Sequence, residues 1–345
     1  MPNFICTTCG TQYAESDQAP AACTICEEPR QYVKKTGQQW TTLERLRLSN
    51  RNSIKFKEPG LIGVGIEPPF AIGQRALFLR TPKANVLWDC LPLLDEAIVE
   101  ALQGLGGISA IAISHPHYYS SMVEWSRAFG GVPIYLHAAD RPWVVRPDKA
   151  IVFWEGETQT LAEGLTLIRC GGHFDGGTIL HWAGGAGGRG ALLTGDVIQV
   201  VPDRKHVSFM YSYPNYIPLP ASAIERIVRA VEPFAYDRVY GAFWDMAIER
   251  DGKEVVRESS ERYLRAIGLT KRVFGSKHDN EPPRDDRGRP QVLAGGDARS
   301  TAWPDVRWVH AEAFEAMHDG QTFSAEHCRL GRGRSLFACA PRGSY

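Results

Sequence analysis

Three histidines and an aspartate each stand where a short apolar run stops, and this constrains the fold more than any other feature of the chain. Residues 108–113 lead into Ser114-His115-Pro116-His117, residues 165–169 lead into Gly171-Gly172-His173-Phe174-Asp175-Gly176-Gly177, and Leu192-Leu193-Thr194 leads into Gly195-Asp196. The runs are too short for helices and rich in branched residues, so they read as buried strands. Strand ends gathered on one edge can aim all four side chains at one point. Imidazole nitrogens and a carboxylate oxygen are donors that a divalent ion accepts. A His-x-His pair alone is open to ordinary packing. The third histidine, with glycines on both sides that allow close backbone approach, favours a ligand set of His115, His117, His173 and Asp196.

Around these motifs, strand and helix patterns alternate over residues 41–268, which makes the class α/β. Further strands are predicted at 61–66, 76–80, 85–89, 133–136, 151–154 and 178–182. Apolar spacing of three and four predicts helices over 93–104 and 221–231. The Gly-rich stretch 184–190 lies between two strand candidates and lacks the lysine and following helix of a phosphate-cradling loop, so it reads as a hairpin. With 345 residues, 43% of them hydrophobic, one main domain with appendages is expected. The 39 basic and 39 acidic side chains cancel. Nothing in that balance points to nucleic acid or to an anionic membrane, and a small-molecule partner is expected; the oligomeric state is not readable. The first ten residues lack a signal-peptide pattern, and no apolar run reaches the roughly 18 residues of a membrane span, so a cytoplasmic location is expected.

Residues 1–40 carry a second ligand pattern. Cys6-x2-Cys9 and Cys23-x2-Cys26 are spaced as two knuckles that wrap one tetrahedral ion in four thiolates. A closed four-thiolate site has no open position, so its expected role is structural, folding a segment too small for its own core. It resembles a zinc ribbon or rubredoxin-like knuckle pair, with zinc the default metal and iron the alternative. Residues 269–345, rich in Arg, Asp, Pro and Gly, are expected to be irregular and largely disordered. His310, His318, His327, Cys328 and Cys339 fall there without ligand spacing.

The order of motifs over residues 55–268 resembles the metallo-β-lactamase superfamily: Leu87-Trp88-Asp89, a helix, a strand into His-x-His, a Gly-His-x-x-Gly loop, and a Thr-Gly-Asp strand end. The resemblance implies a four-layer αββα sandwich with metal, usually zinc or iron, at one edge. By position it makes His115, His117 and His173 the ligands of a first ion and Asp196 a carboxylate that often bridges two. The family pattern continues with an aspartate and a histidine where this chain has Tyr119 and Ser120. Its last histidine is expected after 238–240, where this chain reads Gly241-Ala242-Phe243-Trp244. Neutral Tyr and Ser are poor ligands for a hard dication, so a mononuclear site is expected.

Three neutral imidazoles leave a dication able to lower the pKa of bound water to about 7. The leading expectation is therefore a metal-dependent hydrolase of an ester, lactone, thioester or similar small molecule. Asp196 would orient or deprotonate the water, and Tyr119 would donate to a developing oxyanion or else pack beside Tyr118. The aromatic stretch 208–216 is open between pocket wall and core, and Asp175 between supporting a ligand histidine and solvation. His137 and His181 are read as structural. The alternative function is a non-catalytic metal-binding or scaffold protein with a degenerate site. Iron redox chemistry is a distant third, since the carboxylates and flavodoxin module of flavodiiron proteins are not evident.

Overall fold

The structure, a computed structural model, describes residues 1–269. The expectations for the tail, including a weak helix at 310–318 and its histidines and cysteines, lie outside the described residues.

Thr42 caps the first helix, α1 (Leu43–Ser49), its hydroxyl accepting from the Arg45 amide at 3.4 Å. An antiparallel meander follows: β1 (Arg51–Glu58), β2 (Leu61–Glu67), β3 (Ala76–Arg80) and β4 (Asn85–Trp88). The direction then changes. From β4 the sheet continues in parallel through β5 (Ala110–Ala112), β6 (Ile134–His137) and β7 (Ile151–Trp154). Parallel neighbours need a crossover, and the first two carry α2 (Glu96–Gly104) and α3 (Met122–Ala128). A second sheet has the order β8 (Thr158–Ala162), β9 (Leu165–Arg169), β10 (Thr178–Trp182), β11 (Ala191–Gly195), β12 (Arg238–Gly241), β13 (Ala247–Ile248). Only β11 and β12 are parallel within it, and their connection carries α4 (Ala221–Val231); α5 (Gly252–Ala266) follows β13.

Successive residues of a strand point to opposite faces, and the core follows that rule. Leu77, Trp88 and Ala112 of the first sheet cluster with Leu167, Leu180 and Leu193 of the second. Their neighbours Phe78, Leu87 and Ile111 cluster with Leu46, Ile98 and Trp125 of α1, α2 and α3. In the second sheet Ile179, Leu192 and Val239 cluster with Ile227 of α4 and Val256 and Leu264 of α5. These strands are buried on both faces, which is why they read as continuous apolar runs. Each such side chain contributes about 1.5–3 kcal/mol on burial.

The expected helix at 93–104 starts later, at Glu96, because Asp95 caps it with an oxygen 2.8 Å from the Ile98 amide, while Leu93 and Leu94 belong to the approach. The strand expected at 108–113 is confined to Ala110–Ala112. β1, β8, α1, α3 and α5 had no counterpart in the sequence reading. The Gly-rich stretch forms the turn between antiparallel β10 and β11, as expected. No helix of the described residues is long and apolar enough to cross a membrane.

Candidate metal centres

The four cysteines come together in a small buried cluster with Ile25, flanked by Tyr13 and Trp40. Ile5–Cys6 pairs with Trp40–Thr41 and closes the segment on itself. Cys6 Sγ lies 3.6 Å from Cys26 Sγ, and Cys9 Sγ lies 3.6 Å from Cys23 Sγ. Four sulfurs about 2.3 Å from one tetrahedral ion stand roughly 3.8 Å apart, so the spacing fits a shared ion. The Thr8 amide and Gln38 Nε2 donate to Cys6 Sγ, at 3.4 and 3.2 Å. Hydrogen bonds among the thiols lower Cys6 and Cys23 and raise Cys26, while burial raises Cys9.

The second cluster is assembled from three loop ends. His115 and His117 follow β5, His173 lies between β9 and β10, and Asp196 follows β11; one donor atom from each lies within 4.8 Å of the others. Gly195 has φ +52°, and a Cβ there would meet Ser114 Oγ at 2.3 Å, so the Thr-Gly-Asp sequence brings Asp196 in where a larger residue would collide. His173 Nδ1 donates to Met210 O at 3.1 Å, which leaves Nε2 a lone pair facing His117 Nδ1 at 3.2 Å. Nitrogens about 2.0–2.1 Å from a tetrahedral ion stand roughly 3.3–3.4 Å apart. His115 Nδ1 lies 2.8 Å from Ser114 Oγ, which donates to Asp89 Oδ1 at 2.7 Å; this chain turns His115 Nε2 towards Asp196 Oδ2, 3.6 Å away. Asp89 thus fixes the ring's tautomer and direction.

The histidines are 1–2% exposed and Asp196 is 5% exposed. Burial drives His117 well below the usual histidine range and His173 down to about 3, so both are neutral donors. Burial alone would raise Asp196, but its contact with His115 outweighs this and keeps it below the usual carboxylate range. His115 Nε2, His117 Nε2, Asp196 Oδ1 and the Tyr118 hydroxyl are buried without a hydrogen-bond partner. Buried polar atoms without a partner are costly, and a cation held among the four donors would satisfy those of His115, His117 and Asp196.

Tyr119 is not among the side chains brought together. The backbone after His115 forms a 3-10 turn, Pro116–Tyr118. Each residue of such a turn advances about 120°. Tyr118 therefore lies beside His115, with ring centroids 4.5 Å apart, and both tyrosines belong to the buried apolar cluster with Leu91 and Met122. Burial and then the Asp196 charge push the Tyr118 hydroxyl well above its ordinary range, so it is a neutral donor facing a carboxylate. Ser120 Oγ accepts from Gln74 Nε2 at 3.2 Å. Asp175 is exposed and offers only its carbonyl, to Arg169. His137 and His181 bond backbone carbonyls, Gly156 O and Ala235 O.

A further contributor comes from the cysteine segment. The Arg30 guanidinium lies 4.1 Å from the Phe174 ring centre and 4.7 Å from that of Tyr211, and Phe174 is packed against all three histidine rings. Tyr211 Oη donates to Glu28 Oε1 at 2.9 Å, and Asn215 Nδ2 donates to the carbonyls of Pro29 and Gln31. Residues 28–31 are thereby fastened to the aromatic stretch 208–216, whose Tyr213 donates to Asp196 O at 3.1 Å. That stretch is a wall of the site. Sequence signals for Tyr118, Asp89 and Ser114 were present as neighbours of the motifs, whereas Arg30 had none.

No family model matches the chain. Among solved structures it is similar to VMB-1 at pH 5.5, with 12% identity over 63% of this chain and 98% of that one and a TM-score of 0.48. It is also similar to the mono-zinc form of the metallo-β-lactamase FIM-1 from Pseudomonas aeruginosa, with 14% identity, 61% and 95% coverage and a TM-score of 0.46. In sequence it is 49% identical over 269 residues to the Bacillus subtilis (strain 168) protein named "Uncharacterized protein YmaE", covering 77% of this chain and 97% of that protein. At that identity and coverage, the chain belongs to the same family as YmaE.

Proposed function

We propose that this protein is a metal-dependent hydrolase with one ion at His115, His117, His173 and Asp196, and with a separate structural ion, zinc by default, at Cys6, Cys9, Cys23 and Cys26. The observation that carries the reading is the convergence of four buried donors from three loop ends, two of them neutral by burial, with unspent polar atoms around them. The three core clusters support an αββα order of layers of the metallo-β-lactamase type. We read residues 1–40 as the four-cysteine segment and 41–268 as a metallo-β-lactamase-like domain. Six cysteines without a disulfide among the described residues suit a reducing compartment, the cytoplasm.

A divalent ion at such a site acidifies water and polarises an acyl or phosphoryl oxygen. Around it, Asp196 Oδ1 has a lone pair free to orient the attacking water and take its proton. Tyr118 takes the role expected of Tyr119, its neutral hydroxyl available to a developing oxyanion. Asp89 through Ser114 and Met210 O hold two imidazoles in register. A second ion finds no ligands at Tyr119 and Ser120, which are packed in the core and bonded to Gln74. The substrate class favoured is a small ester, lactone or thioester.

The near-complete burial of the donors, under a wall tied to residues 28–31, favours a second reading, a non-catalytic metal protein. A panel of esters, lactones and thioesters separates the two. Turnover that falls at least about a hundredfold in His115→Ala supports the hydrolase. A full complement of metal without turnover on any member supports the second reading.

A further inference from the structure

A cavity of about 510 Å³ lies beside β13 and the last residues of β1, and it is not lined by any of the four histidine-site donors. Its cations are Lys57, Arg75, Arg204, Lys205 and Arg250, and its acids are Asp245, Glu249 and Asp251. Two of the acids are engaged: Asp245 with Lys57 at 3.4 Å, and Glu249 with Arg238 at 3.8 Å. Among the described residues, Arg75, Arg204, Lys205 and Arg250 have no ion pair, so the balance inside the cavity is positive.

Arg75 is the unusual member. It enters β3, is only 2% exposed, and its backbone amide donates to Ala242 O at 2.9 Å. Its Nε donates to Phe243 O at 3.1 Å, while Nη1 is buried with no partner. A guanidinium carries five N–H donors and stays charged in a protein. A buried charge left unpaired is strongly destabilising. Asp89, the carboxylate whose charge acts most on Arg75, already spends an oxygen on Ser114. The fold therefore keeps a desolvated, forked cation at a cavity wall with Nε bonded and Nη1 unspent. The loop beyond it is held in place by the Trp244 ring, which lies against Gly63 and Gly65 and beneath Lys55 and Lys57.

We propose that this cavity binds an oxyanion, the carboxylate or phosphate group of a small acidic molecule, with Arg75 as the recognition residue and Arg204, Lys205 and Arg250 as the outer charge. The planar fork of a guanidinium matches two oxygens of either group, and the low dielectric around Arg75 strengthens that contact relative to a surface lysine. The site does not depend on the hydrolase reading. Asp89 links it to the histidine cluster all the same, because its charge acts on Arg75 and its Oδ1 is bonded to Ser114 beside His115.

The test is calorimetric titration of the full-length, metal-loaded protein with inorganic phosphate and, separately, with succinate, at constant ionic strength set by sodium chloride. The comparison proteins are Arg75→Gln, the surface double variant Arg204→Ser/Lys205→Ser, and His115→Ala. Saturable binding of at least one oxyanion is expected, weakened at least about tenfold in Arg75→Gln and about threefold in the double variant, and retained in His115→Ala. The arm that binds tells carboxylate from phosphate. Absence of saturation in both arms overturns the proposal. So does binding lost in His115→Ala but intact in Arg75→Gln, which would put the anion on the histidine-site metal. Should Arg75→Gln fail to fold, the double variant decides, and undiminished binding there overturns the proposal.

Discussion

The cysteine cluster and the histidine–aspartate cluster are built on opposite plans. The first draws its ligands from one stretch of 21 residues and gathers its four sulfurs in one buried cluster, paired at 3.6 Å. The second draws on loops spread from His115 to Asp196, needs both sheets in place, and leaves orphaned atoms on His115, His117, Asp196 and Tyr118. A locally closed set suits a folding element, because metal binding and chain ordering are then one event. A set assembled by tertiary structure, with donors in excess, suits chemistry. The two nevertheless touch, through residues 28–31 and the wall at 208–216.

The comparison breaks most visibly at Cys6. Structural zinc in isolated finger peptides is worth about 10–16 kcal/mol. Cys6→Ala is therefore expected to unravel residues 1–40, seen as rapid proteolytic cleavage there, and to loosen the Arg30–Phe174 contact. A variant as resistant to protease as the wild type would show that the segment folds without its ion.

A smaller effect probes the tertiary support of the second cluster. Asp140 Oδ1 accepts from the Gly176 amide at 2.8 Å in the His173 loop, and burial raises its carboxyl from 3.8 to about 6. Because the folded value is raised, the folded chain holds a proton in that window that the unfolded chain has lost. The group's contribution is then fullest below 3.8 and is lost as pH rises through 6. Asp140→Asn should gain on the wild type between about pH 4 and pH 7, by up to roughly 3 kcal/mol in denaturant melts. Parallel pH profiles for the two proteins would contradict a buried, ionisable Asp140.

The smallest and most discriminating pair is Tyr118→Phe beside Tyr119→Phe. If Tyr118 donates to a developing oxyanion, its loss should lower kcat about ten- to a hundredfold with little change in KM, whereas Tyr119→Phe should stay within about twofold. The reverse ranking would restore the role that the sequence assigned to Tyr119.

That pair shows what a sequence can and cannot carry. β3, β7, β9, β10 and α4 were legible to the residue, because apolar runs of fixed length bounded by turn residues leave little choice. β1 escaped because Arg51, Lys55 and Lys57 on an edge strand, with Ile54 and Phe56 exposed, break the apolar run, and α5 because most of its residues are polar. At the candidate site the donor residues were legible as strand-end motifs. The choice between Tyr118 and Tyr119 was not, since one residue of a 3-10 turn decides which ring meets His115. Arg30 and Arg75 were invisible for a different reason: the first depends on how residues 28–31 lie against 208–216, the second on a backbone carbonyl at Phe243, 168 positions away.

The central claim is that two sites of different kind hold one ion each. Metal content per chain, measured by mass spectrometry on wild type, Cys6→Ala and His115→Ala, tests it directly. A total of two ions is expected, with one lost in each variant. A total near three, or a His115→Ala protein that keeps its full complement, would contradict it.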